Sequence, residues 1–172
     1  MRKERERRTL ETAGMLFTLL FGTLLHFVYD WTGQADWAAY LSAVNESTWE
    51  HMKLLFFPML VLVLFLFFKL PEQSPIPAAL SIGTLVGLAL IPILFYTYTG
   101  VLGFSVMAID IAIFYISVLG VFLTGWFLKD NRKLVNRNGL LLTCLVILAI
   151  LFFIFSYYPP EIGLFSGAIS YF

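Results

Sequence analysis

Apolar side chains come in five long blocks separated by short polar breaks, over residues 12–31, 48–68, 76–98, 102–128 and 139–157. Crossing roughly 30 Å of hydrocarbon as a helix takes about 20 residues, so each block is long enough. Backbone groups in hydrocarbon must be bonded within their own segment, and the blocks do not alternate as barrel strands do. The pattern predicts an all-α, polytopic membrane protein: one domain of five transmembrane helices.

Smaller patterns refine this. In "DWAAYLSAV", Trp37, Tyr40, Leu41 and Val44 fall at i, i+3, i+4 and i+7. That spacing makes one apolar stripe and predicts a short helix that lies in the outer membrane interface or folds over the spans as a lid. Pro58 and Pro92 each remove a backbone donor inside a span, which predicts two kinks and a cavity beside them. Ala79, Gly83 and Gly87 recur every four residues, a spacing that brings two helices close, either within the chain or in a homo-oligomer. The tail "YYPPEIGLFSGAISYF" is too short for a sixth span and is expected to pack along the outer interface.

Composition rules out a soluble domain. Of 172 residues, 60% are hydrophobic and 13% charged, too few polar groups to cover a water-facing surface. The single Cys144 forms no internal disulfide and reads as a small apolar filler.

Charge sets the orientation. Arg2, Lys3, Arg5, Arg7, Arg8, Lys69, Lys129, Arg132, Lys133 and Arg137 all fall on one side of an alternating topology, and only Lys53 falls on the other. The positive-inside bias puts the N-terminus in the cytoplasm and the C-terminus outside. The basic "MRKERERR" start is explained by this bias and by anionic lipid, not by nucleic acid. No small-residue cleavage site follows the first apolar run, so the run is expected to be retained as a span. Trp31, Trp37, Tyr40, Trp49, Tyr96, Tyr98, Tyr157 and Tyr158 lie near the outer span ends, as an interfacial aromatic belt does.

Ionisable groups inside spans are costly and point to function. His26 and Asp30 are four apart and share a helix face, where the carboxylate can fix the imidazole tautomer. Ser47-Thr48-Trp49-Glu50 fits a capping box, with Ser47 as N-cap and Glu50 reaching back to its backbone. Capping does not use Asn45, Glu46 or His51. Glu46 and Glu50 are four apart, so Glu46, Glu50 and Lys53 are expected along one helix side. Asp110 is placed well inside the fourth span, with a hydrogen bond to a neighbouring Tyr or Thr as its structural alternative. Tyr96 and Glu161 can reach the same outer region. The candidate ligand-binding set is therefore His26, Asp30, Asn45, Glu46, Glu50, His51, Tyr96, Asp110 and Glu161. Within it, His26, Glu50, His51 and Asp110 are the candidate ligands of a divalent metal ion. A proton-handling cluster or the polar end of an amphiphile pocket draws on the same residues.

No Gly-rich phosphate loop, Cys pair or HExxH spacing is present. The expected function is binding or transport of a cation or a small polar or amphiphilic ligand. The alternatives are an intramembrane enzyme acting on a lipid or isoprenoid, with metal as an optional cofactor, and an accessory subunit whose polar groups serve only the fold.

"HFVYDWTG", "AVNESTWEHMKLLFFP" and "YPPEIGLF" together resemble a family of small bacterial membrane proteins characterised only as a domain of unknown function. The N-E-S-x-W-E-H-x-K segment is the distinctive part, and the PP-x-x-x-LF tail is weaker. The resemblance spans nearly the whole chain and implies a bacterial plasma membrane protein. It implies no reaction or partner. Its tail pattern has a His after the two prolines where this chain has Glu161.

Overall fold

The computed structural model describes residues 2–166, with side chains from Thr9 onward. Residues 167–172, the end of the expected interfacial tail, lie outside the described residues. Six α-helices follow one another: α1 (Arg2–Trp31), α2 (Asp36–Ala39), α3 (Thr48–Lys69), α4 (Ile76–Leu102), α5 (Met107–Leu128) and α6 (Asn138–Tyr157). Five segments are long and apolar enough to cross a membrane: Thr9–Trp31, Thr48–Lys69, Ile76–Leu102, Met107–Leu128 and Arg132–Tyr157. The architecture is that of a multi-pass membrane protein.

The boundary between the third and fourth spans moves. The apolar run gives no stop at Tyr98, so α4 continues to Leu102 and ends at Gly103. Gly103 takes φ +82°, a left-handed conformation suited to glycine, and its N–H donates to Thr99 O at 2.7 Å. The next helix starts at Met107, not at Leu102. Asp110 is thereby in the first turn of α5 rather than well inside a span.

α3 lies at the centre, packed against α1, α4 and α6. Leu55, Phe56, Met59 and Val63 from α3 meet Val118 and Val121 of α5 and Leu145 and Phe152 of α6 in one core. Large apolar groups such as Leu16, Phe65, Ile93, Leu119 and Ile147 point outward. In water this surface would be untenable, whereas in lipid it is the expected outer wall. Cys144 is part of that exposed surface rather than a packed filler.

Small residues bring the helices together. A Cβ on Gly83 would collide with the Val121 backbone, and one on Gly87 would lie 2.5 Å from Val121 Cγ2. The stripe predicted at Ala79, Gly83 and Gly87 is thus used within the chain, against α5, and is not free to hold a second copy. A second stripe of small residues runs along α1. Among the described side chains of α1, the buried positions are Gly14, Thr18 and Gly22, again every four residues. A Cβ on Gly22 would sit 2.6 Å from Leu54 O, and Thr18 Oγ1 lies 3.3 Å from Met59 Sδ. One step further along the same face is His26.

The two ends of the bundle differ in charge. The start of α1, the α3–α4 connection and the α5–α6 connection make a basic end, with ten Lys or Arg against five Asp or Glu. The other end has Lys53 alone against six acids. Asn138 ties the basic end: its Oδ1 accepts from Ala78 N and its Nδ2 donates to Ser74 O, both at 2.9 Å.

The segment after α1 departs from expectation. Helix α2 is a single turn, and its buried face is Ala38 and Ala39, followed by Ser42 and Ala43. The predicted stripe of Trp37, Tyr40 and Leu41 is exposed instead. Small residues fit against the bundle, and the bulky ones point away. Trp49 is likewise not a headgroup anchor. It is buried, its ring tilted against Phe152 at 4.5 Å and Phe165 at 4.9 Å.

Pro58 and Pro92 sit inside continuous helices. A cleft opens at the basic end, and neither proline lines it.

Candidate functional site

The site grows from the α2–α3 loop. Ser47 caps α3, accepting from Glu50 N at 3.3 Å. Asn45 Oδ1 accepts from Ser47 N at 2.9 Å and so shapes the turn into the cap. The return half of the capping box does not form, because Glu50 turns inward. Its Oε2 lies 2.5 Å from Lys53 Nζ and accepts from Val44 N at 3.0 Å. Its Oε1 accepts from Ser156 Oγ of α6 at 2.9 Å. Lys53 also donates to Ala39 O at 2.8 Å and to Ser156 Oγ at 2.9 Å. Both ions are buried, at 2% and 0% side-chain exposure. This network ties the loop, α3 and α6 together, and every charge in it is met.

Glu46 does the opposite. It precedes the cap, so it is outside the helix and does not share a side with Glu50 and Lys53. It swings to His51, with Oε2 3.4 Å from His51 Nε2. His51 Nδ1 contacts Ser47 O at 2.9 Å. A carbonyl only accepts, so Nδ1 carries a proton, and Nε2 is the ring nitrogen left facing Glu46.

His26 completes the group from α1. Its ring centroid is 5.3 Å from that of His51. It is held there by the glycine seam and by Ser42, whose hydroxyl donates to Leu25 O and accepts from Tyr29 N at 3.2 Å. His26 Nδ1 is buried and has no hydrogen-bond partner among the described residues. The expected pairing with Asp30 is therefore not made, and Asp30 is exposed. One ligand atom each from His26, Glu46 and His51 lie within 4.8 Å of one another.

The remaining candidates lie elsewhere. Asp110 accepts from Tyr98 Oη, which in turn accepts from Val106 N at 3.1 Å, closing the α4–α5 hairpin. Tyr96 Oη donates to Gly163 O at 2.9 Å and accepts from Thr48 Oγ1 at 3.3 Å, fastening the tail over α3. Glu161 is exposed in that tail. Of the four candidate metal ligands, the structure brings together His26 and His51. It commits Glu50 to Lys53 and Asp110 to Tyr98, and supplies Glu46 instead.

A family model matches residues 2–171. The chain belongs to DUF6512, a family of unknown function. No curated protein and no solved structure matches the chain. Membership in DUF6512 thus names no activity, and the residues themselves carry the functional argument.

Proposed function

We propose that this protein lies in the bacterial plasma membrane with its basic end in the cytoplasm, and binds a divalent transition-metal ion at its acidic, outer end through His26, Glu46 and His51. In that orientation the bulky face of α2 rests in the outer interface. The observation that carries the reading is the unsatisfied chemistry of the cluster. A carboxylate oxygen and an imidazole nitrogen lie 3.4 Å apart, beside a histidine whose Nδ1 is unpartnered. A proton on Nε2 serves the Glu46–His51 pair alone, whereas a metal ion also takes the unpartnered Nδ1 of His26. Ligands about 2.1 Å from a tetrahedral ion stand about 3.4 Å apart, so the spacing suits zinc-class coordination.

Two imidazoles and one carboxylate also leave a fourth position open. That favours, as a second reading, a metal-activated water working at the membrane surface.

The test is metal content and affinity of the purified full-length protein. Wild type is expected to hold about one zinc per chain, and His26→Ala and His51→Ala to lose it while keeping their fold. Zinc retained by the double variant, or absent from well-folded wild type after supplementation, overturns the proposal.

A further inference from the structure

The seam that ends at His26 on the acidic side opens on the basic side. α1 is pinned to α3 through Gly14, Thr18 and Gly22, and Gly14 already touches Leu62 and Phe122. Toward the basic end that face continues with Leu10, a bulky residue where the seam has glycine or threonine. The result is a cleft of about 730 Å³ among α1, α3, α4 and α5. Leu10, Leu62, Leu66, Leu80 and Phe122 make its walls. At its mouth stand Lys129 and Arg132, together with Glu11 and Asp130.

A space this size lies within the roughly 300–1,000 Å³ range of ligand pockets. Along its leucine and phenylalanine walls water finds few partners and a void would forfeit dispersion contacts, while Gln73 and Ser74 line it nearer the charged mouth. The surrounding medium supplies hydrocarbon. The mouth says which amphiphile fits. It pairs Lys129 and Arg132 with Glu11 and Asp130, and lies on the end of the bundle where basic residues outnumber acids two to one. Lys and Arg at headgroup depth attract anionic lipid and bond phosphate oxygens directly.

We infer that this cleft binds one anionic glycerophospholipid, an acyl chain between α1 and α3–α5 and the phosphate at Lys129 and Arg132. The inference uses none of the His26, Glu46 and His51 ligands and stands or falls separately from the metal site.

Native mass spectrometry of the full chain released from mild detergent reads the bound lipid. The expected result is a retained phospholipid enriched in the anionic class over the source membrane. Delipidated protein should gain thermal stability on adding phosphatidylglycerol, and much less with phosphatidylcholine. Neutralising the mouth with Lys129→Gln and Arg132→Gln should weaken phosphatidylglycerol retention about thirtyfold, from roughly one surface-charge increment per cation. Leu66→Trp fills the cleft from the core side. Leu10→Trp fills it from an already exposed position and so keeps the test alive if the first variant fails to fold. Both are expected to abolish retention and the thermal gain. Equal gains with the two lipids overturn the anionic assignment. No retained lipid and no gain from either, or full retention in a folded filling variant, overturns the site.

Discussion

Glu46 and Glu50 are four residues apart and end in opposite conditions. Glu50 is buried, and both its oxygens and the ammonium of Lys53 have partners from three parts of the chain. Glu46 is 71% exposed at the side chain and faces a single imidazole nitrogen. A closed set of charges can be explained by folding alone. An open set of ligand atoms, held by a capped helix and a glycine seam and with one histidine nitrogen unpartnered, has something left to bind. What separates a structural polar cluster from a candidate ligand site is the balance of donors and acceptors, not the number of charges.

The sharpest way to break the comparison is to open the closed set. Lys53→Met leaves Glu50 buried without its cation. It should destabilise the fold by about 3–5 kcal/mol, read as loss of monodisperse protein or of thermal midpoint. Glu50→Gln combined with Lys53→Met should recover most of that, because no unpaired charge remains. If the single variant is as stable as wild type, the pair is not structural.

The seam comes next. Gly22→Leu forces α1 away from Leu54 and Phe114, costing about 1–3 kcal/mol by overpacking. It should also lower zinc affinity, since His26 leaves His51. Stability lost with affinity intact would separate the seam from the site.

The open set should respond the other way. His26→Ala and His51→Ala should change stability by less than about 1 kcal/mol, as changes away from the core do. Each should weaken zinc binding by more than the roughly 10–100-fold that loss of an outer-shell partner costs. Binding should also weaken as pH falls, because protons compete for the same lone pairs; isothermal titration at several pH values reads this.

The smallest effect belongs to the hairpin. Tyr98→Phe removes the bond to Asp110 and should cost about 0.6 kcal/mol, the average for such bonds between membrane helices. Zinc affinity should not move. A change there would return Asp110 to the site.

Much of this was legible in the chain. Five apolar blocks and one-sided basic residues give the spans, and counting inward from the span ends sets His26 level with His51. The exchange of Glu46 for Glu50 was not foreseen, because a spacing of four places two residues together only when both are helical. Ser47 as N-cap already leaves Glu46 outside the helix, so the signal was there. The α4–α5 boundary was blurred because Val101 and Leu102 are as apolar as the span, and only Gly103 marks the stop. The Gly14, Thr18, Gly22 stripe was as regular as the one at Ala79, Gly83 and Gly87. It went unread because a threonine interrupts the glycines.

The Glu50–Lys53–Ser156 network carries a consequence for biogenesis. Ser156 lies 103 residues beyond Lys53 and 106 beyond Glu50. In the proposed orientation α3 is threaded into the bilayer long before α6 leaves the ribosome. The two ions must first travel outward with only each other and the loop backbone for company, a neutral couple one helical turn apart. Arrival of the last helix then locks the outer face.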